Sequence, residues 1–252
     1  MLSLDLRGGH NRYKFNKDFF KKWSPEMAHV LGFLYADGNI TDSVASRAQY
    51  IHFYSTDRHI LESIRATMAS SHVIEVILPK TANHKNGTYK SKEGFKLRIG
   101  SKEMYQDLLN LGVVPNKSKI ITFPDISKQY VSHFIRGYFD GDGCVTIMRG
   151  KGKYGQIILK GIAVIFTSGS KIFLEELCRK AHEIANFNIR NIYSGSGAHY
   201  LKYSTSESIE WFKFLYSKDM SDLFLKRKFE IFSAYFQLRP IKKDSIIEEM
   251  LR

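Results

Sequence analysis

The feature that most constrains this chain is an internal repeat. Residues 30–38 read Val-Leu-Gly-Phe-Leu-Tyr-Ala-Asp-Gly and residues 135–143 read Ile-Arg-Gly-Tyr-Phe-Asp-Gly-Asp-Gly, so that Gly, four residues and then Asp-Gly recur at an offset of 105. Ile51–Asp57 lies over Val164–Ser170 at an offset of 113, and the same offset sets Ile60–Ile64 on Phe173–Leu177. Met104 and Leu109 then fall on Ile209 and Phe214, again at 105. An insertion around Arg149–Lys153 accounts for the drift. Three collinear recurrences identify a duplicated unit.

Each copy reads in the same coarse order. A helix ends at Asp-Gly, two strand-like runs follow, and a helix with apolar positions at helical spacing comes next (57–69 and 170–185). Two more strand-like runs, around Phe95–Ile99 and Tyr200–Tyr203, lead into a closing helix (101–111 and 206–217). The expectation is an α+β fold made of two pseudo-symmetric αββαββα halves with antiparallel sheets. The boundaries are an N-terminal extension 1–20, a first half 21–123, a second half 124–239 and a tail 240–252. The segment Val113–Asp125, with Pro115 and Pro124, is the junction.

Composition narrows the partner. Lys and Arg number 38 against 25 Asp and Glu, a formal charge of +13 with pI ≈ 9.6. Such an excess favours a polyanion, nucleic acid first and an anionic membrane second. The most apolar stretches, Val73–Leu78 and Ile157–Phe166 with Lys160 inside it, are too short and too interrupted to span a bilayer. The start, Met1–Arg7, lacks the long apolar core of a secretory signal. Cys144 and Cys178 are far apart and stand at no ligand spacing, so neither a disulfide framework nor a structural zinc site is expected. A reducing intracellular compartment, cytoplasm or organelle matrix, is the default. The first residue Met1, without a splicing cysteine, and the ending Met250-Leu251-Arg252 are not the pattern expected of an intein host.

The motif helices carry the chemistry. Ser24 can cap the first, Pro25 suits its first position and Glu26 favours the positive end of the dipole. The far ends are unusual, because Asp37 and Asp142 stand where the dipole disfavours an anion by about 0.3–1 kcal/mol. Gly32 and Gly137 lie inside their helices, each weakening it by roughly 1 kcal/mol relative to Ala. One copy alone could be a plain helix stop followed by a turn. Two copies with identical spacing argue instead for close helix packing through the glycines, by analogy with small residues at tight helix contacts. Side-by-side packing would bring the two aspartates together. Adjacent carboxylates repel unless one is protonated or a cation lies between them. Hard oxygen donors in ones and twos suit Mg²⁺.

With these residues in place, the sequence resembles the single-chain, two-motif LAGLIDADG homing endonucleases. Val30–Gly38 and Ile135–Gly143 carry the resemblance, which covers the chain apart from 1–20 and 240–252. It implies saddle-shaped sheets laid along double-stranded DNA, paired motif helices, and cutting of both strands with Mg²⁺, or another divalent cation such as Mn²⁺ or Ca²⁺. It implies Asp37 and Asp142 as metal ligands, assisted by the carbonyls of Ala36 and Gly141. Tyr35 stands where many members have an acid, and the second copy has Asp140 there. The resemblance also points to polar groups where the second strand ends, Asp57 and Ser170, and to lysines near each last helix, Lys117 and Lys228 (or Lys226). Asp57 equally suits a helix N-cap, and the lysines equally suit solvated surface.

Strand alternation lets one sheet face pack on helices while the other faces DNA. Candidate contacts are Arg47, Lys80, Lys85, Lys96 and Arg98 in the first half and Arg149, Lys151, Lys153, Lys160, Arg190 and Lys202 in the second. Residues 79–94 are expected to be a basic loop, and 149–153 another. The leading expectation is a monomeric, site-specific, double-strand DNA endonuclease with a long non-palindromic target and no obligate protein partner. The competing expectations are an RNA-binding intron maturase with little DNA cleavage and a DNA-binding regulator with a dead site.

Overall fold

A computed structural model describes residues 13–43, 48–84, 87–217 and 223–251. The chain divides into two compact units, Met1–Trp23 with Asp37–Asn116, and Ser24–Ala36 with Lys117–Arg252. The division falls at the end of the first helix, α1 (Pro25–Asp37), all but the last residue of which belongs to the second unit.

The first unit holds β1 (Gly38–Ser43), β2 (Ala48–Ser55), α2 (Arg58–Thr67), β3 (Ile74–Ile77), β4 (Thr81–His84), β5 (Gly87–Lys90), β6 (Gly94–Gly100) and α3 (Lys102–Asn110). Its antiparallel four-stranded sheet runs β1-β2-β6-β3. Alternation sorts the two faces. Ile40, Ile51, Phe53, Leu97 and Ile99 are fully buried, as are Ile60, Leu61 and Ile64 of α2 and Met104 and Leu108 of α3. Each such side chain stabilises the unit by about 1.5–3 kcal/mol, so this one face holds the sheet to its helices. The other face carries Thr41, Tyr50, His52, Tyr54, Lys96 and Arg98, all partly or fully exposed. The chain ahead of α1 is tied down as well, with the Asn16 amide donating to the Met68 carbonyl at 2.9 Å.

The second unit adds α4 (Lys128–Asp142), β7 (Gly143–Lys151), β8 (Ile157–Ser168), α5 (Lys171–Ala185), β9 (Ile192–Gly195), β10 (Ala198–Tyr203), α6 (Thr205–Leu215), α7 (Lys226–Leu238) and α8 (Ser245–Met250). Its sheet runs β7-β8-β10-β9, the same order as the first when each strand is matched to its repeat mate. The core is strongly aromatic: Trp211 stacks on Phe187 at 4.1 Å and meets Phe166 edge-on at 4.8 Å. Helices α5 and α6 begin at recognisable caps. Ser170 Oγ accepts the Phe173 amide, and Ser204 forms a capping box with Glu207.

Two sequence expectations are corrected. Residues 79–94 are not simply a loop, because β4 and β5 pair there as a separate hairpin, with Gly87 at φ 125 turning it. Arg149–Lys151 likewise belong to β7, and the turn proper begins at Gly152, whose amide donates to Gln156 at 2.8 Å. The insertion therefore lengthens a hairpin, with a register shift between Met148 and Arg149 that absorbs it. Helix α7 went unread, because its aromatic residues follow the short run Leu225–Lys228, which suggested only a basic segment.

Candidate active site and nucleic-acid interface

Helices α1 and α4 are buried on all sides over Met27–Tyr35 and His133–Asp140. Ser24 Oγ accepts the Met27 amide at 3.1 Å and starts α1. The two helices touch backbone to backbone. A Cβ on Gly32 would stand 2.0 Å from the Phe134 carbonyl oxygen, and one on Gly137 would stand 1.9 Å from that of His29. At the repeat offset His29 corresponds to Phe134 and Gly32 to Gly137, so these are two equivalent contacts related by the repeat. Only glycine permits them.

The acids close their helices: Asp37 is the last residue of α1 and Asp142 the last of α4, each partly exposed. Lys117, buried in a 3₁₀ turn at Lys117–Lys119, directs Nζ to the Ala36 carbonyl at 3.5 Å. Lys228 is 2% exposed. Its Nζ lies within hydrogen-bonding distance of four carbonyls, those of Asp140 at 2.8 Å, Gly141 at 3.2 Å, Phe139 and Gly143, which share its three N–H donors. A cation on the last carbonyls of a helix is favoured by the dipole, by about 0.3–1 kcal/mol at the surface and up to about 2 when partly buried. Of the two lysines in Leu225–Lys228, Lys228 is the one at the motif end, and Lys226 is exposed at the start of α7. Both lysines therefore reach the carbonyl that precedes each aspartate.

Beneath this end lies a polar cluster that sequence reasoning did not single out. His29 of α1 and His133, Arg136 and Asp140 of α4 are all buried. Arg136 Nε donates to His29 Nδ1 at 3.3 Å and Nη1 donates to the Leu215 carbonyl at 3.2 Å. That leaves the imidazole proton on Nε2, which stands 3.4 Å from Asp140 Oδ2; the two buried groups face each other without forming a hydrogen bond. Burial, with Arg136 and His133 close by, holds His29 well below its usual pKa, so it is neutral. Burial pushes Asp140 up to about 7 against the pull of Lys228 and Arg136. The signal was present in the sequence, since three polar side chains interrupt a helix otherwise buried and apolar.

The secondary candidates divide. Asp57 is the N-cap residue of α2, with its amide donated to Ser55 Oγ at 3.0 Å. Ser170 is 4% exposed; besides capping α5, its hydroxyl donates to the Ile121 carbonyl at 2.7 Å. That hydroxyl is engaged in holding the fold.

The basic candidates are spread over several settings. Lys96 and Arg98 lie on the open face of the first sheet, where both meet Glu75 of β3, at 2.8 and 3.7 Å. Arg98 also stands over the Tyr50 ring at 5.2 Å. His52, between them and Thr41, is lowered to about 4 by burial and by the two cations, so it presents a neutral ring; its Nε2 lies 3.1 Å from Thr41 Oγ1. Lys80 is exposed just before the β4–β5 hairpin. Lys202 of β10 and Lys160 of β8 are exposed, as are Arg149, Lys151 and Lys153 along the long β7–β8 hairpin. Arg190 is otherwise employed, because its guanidinium forks onto Glu207. Arg47 and Lys85 lie outside the described residues. Among the described residues no three His, Cys, Asp or Glu side chains cluster as a metal site. No described helix is long and apolar enough to cross a membrane.

Comparison with known proteins places this arrangement. Residues 129–215 match the LAGLIDADG-like domain. Among solved structures, the meganuclease I-AabMI, bound to uncleaved DNA, superposes with TM-score 0.52 and 12% identity, covering 90% of this chain and 96% of that one. The homing endonuclease I-WcaI, bound to its DNA recognition sequence, gives 0.55 and 13%, over 85% and 91%. I-DmoI, in complex with DNA and Ca, gives 0.53 and 13%, over 86% and 99%. A sequence relative is the DNA-directed RNA polymerase subunit Rpo1C of Methanocaldococcus jannaschii, 27% identical over 186 residues, 65% of this chain. The chain spans only 20% of that protein's length. The second copy is thus similar to a LAGLIDADG-like domain, in a chain whose fold is that of the LAGLIDADG homing endonucleases.

Proposed function

We propose that this chain is a site-specific endonuclease of double-stranded DNA. The observation that carries the reading is the pair of motif helices, joined through Gly32 and Gly137 and each ending in an aspartate behind a lysine-held carbonyl. The formal charge of +13 and the exposed cations on strands and hairpins support a polyanionic partner. The solved relatives named above are structures with DNA, and I-DmoI has also been solved with DNA and Mn.

The residues at the motif ends suit a divalent cation. Asp37 with the Ala36 carbonyl, and Asp142 with the Gly141 carbonyl, are hard oxygen donors, and Mg²⁺ takes one or two carboxylates while keeping its waters. A carbonyl has two lone pairs, so the hydrogen bond from Lys228 leaves Gly141 one to offer. When bound, the cation supplies an activated water and stabilises charge on the leaving oxygen. The chain's own part is positional. Lys117 and Lys228 hold the carbonyls and place positive charge near the phosphate under attack. The open sheet faces and the β7–β8 hairpin hold the duplex, reading bases from the strands and phosphates from the lysines. Because the copies, 21–123 and 124–239, differ outside the motifs, each reads its own half-site and one chain serves a non-palindromic target as a monomer.

The test is selection of a cleaved sequence from a randomised duplex library with Mg²⁺, repeated with EDTA and with a structured intron transcript in place of DNA. Metal-dependent cutting of one long site is the expected result. Tight transcript binding without cutting of any duplex would favour the RNA maturase reading instead.

A further inference from the structure

The seam between α1 and α4 is symmetric in backbone and asymmetric in side chains. At the repeat offset His29 corresponds to Phe134 and Tyr35 to Asp140. The structure pairs these four crosswise. On one side of the glycine contact, His29 faces Asp140 at 3.4 Å. On the other, their repeat mates Phe134 and Tyr35 meet edge to face at 5.1 Å between ring centres. All four are buried. The rest of the polar cluster is equally one-sided, since His133 and Arg136 of α4 correspond to Ala28 and Leu31 of α1.

We infer that this seam is a selective interaction surface whose fitting partner is the opposite motif helix of the same chain, and that it rejects a second copy of α4. The Gly-mediated backbone contact is the same for both helices, so it would serve like-with-like pairing as well as the observed one. The side chains break that degeneracy. An α4–α4 pair would set Asp140 against Phe134 on both sides, leaving two buried carboxylates without the imidazole that now faces one of them. Removing one partner of a buried polar pair is far costlier than never having built it. An α1–α1 pair would set His29 against Tyr35 twice and lose the Arg136 hydrogen bond that fixes the imidazole tautomer. A duplicated chain needs such a device, because two similar halves joined by one linker can exchange between molecules. Selective pairing keeps the two different halves together in one order. This inference does not depend on the endonuclease reading.

The substitution His29→Phe recreates the α4–α4 contact inside the intact chain, with Asp140 facing a phenyl ring. Thermal melts of the full-length protein are compared for His29→Phe, His29→Gln, Asp140→Asn and the double variant His29→Phe/Asp140→Asn. The expected result is a loss on the order of 10 °C for His29→Phe. His29→Gln, which keeps a polar group facing Asp140, loses less than half as much. Asp140→Asn raises the melting temperature of the His29→Phe protein more than it changes the wild type. If His29→Phe does not fold, the double variant is expected to fold. A His29→Phe melt indistinguishable from wild type, equal losses for Phe and Gln, the same shift from Asp140→Asn in both backgrounds, or a double variant that also fails to fold would each overturn the inference.

Discussion

The ammonium of Lys228 donates to the carbonyl oxygen of Gly141 at 3.2 Å, one residue before Asp142. The same group also holds the carbonyls of Phe139, Asp140 and Gly143, so a single buried cation closes the C-terminal end of α4. Substituting Lys228→Met keeps most of the stem's volume and leaves these acceptors with no ammonium. The expected destabilisation is about 2–5 kcal/mol, from unsatisfied carbonyls and an uncompensated Asp140. A chemical denaturation series checks it, and an unchanged midpoint would show that water replaces the lysine.

Gly137→Ala sets two effects against each other. Alanine favours a helix over glycine by about 1 kcal/mol. The new Cβ, however, would stand 1.9 Å from the His29 carbonyl oxygen, which belongs to backbone and cannot rotate away. Overpacking of that kind costs about 1–3 kcal/mol and sometimes more, so the clash wins. Gly137→Ala and Gly32→Ala should both lower the melting temperature, whereas Gly155→Ala should be limited to turn strain, since nothing lies within 4 Å of its Cβ position.

Acid should weaken the first unit through His52. Its pKa is about 4 in the fold, against an ordinary value of 6.5, and the groups facing it are Lys96, Arg98, Glu75 and the Thr41 hydroxyl. Between pH 6.5 and about 4 the unfolded chain binds a proton that the folded chain refuses, so stability falls as pH falls through that window. Above pH 6.5 the contribution vanishes. Comparing wild type and His52→Gln melts at pH 7.5 and 5 should show a smaller acid loss in the variant.

Glu75 offers a test of the open sheet face. Its ion pairs to Lys96 and Arg98 are exposed, and such pairs are worth about 0–1 kcal/mol, so Glu75→Gln should hardly change stability. It should release the two cations for phosphate and steepen the salt dependence of DNA binding by roughly 0.9 per phosphate gained. An unchanged slope would mean that Glu75 serves only to charge the edge strand β3.

Much of the fold was readable because repetition supplies its own control. The matched order of elements and the Gly-to-Asp spacing were visible in the sequence, as was the strand alternation at Phe95–Ile99 that β6 shows. The β4–β5 hairpin was hidden by composition, since lysine and asparagine around Gly87 read as loop. The lysines could be proposed but not placed. Lys226 and Lys228 differ by half a helical turn, and only the start of α7 decides which one meets α4. Ser170 read as a candidate polar group of the site because a strand end and an N-cap share the same residue types. The His29–Asp140 contact was out of reach, because its partners are 111 residues apart and only helix packing joins them.

The central claim is that Asp37 and Asp142 carry the chemistry and not the fold. The most direct measurement is cleavage of the selected duplex with Mg²⁺ by Asp37→Asn and Asp142→Asn, beside a binding titration and a melt. Asparagine preserves shape and removes the charge that a divalent cation needs. Each variant is expected to lose cleavage by about 100-fold or more, the scale of removing one electrostatic group from a reacting centre. Duplex affinity should be retained, and the melting temperature should stay level or rise, since an anion at the negative end of a helix dipole is relieved. Wild-type cleavage by either variant would contradict the assignment of that aspartate.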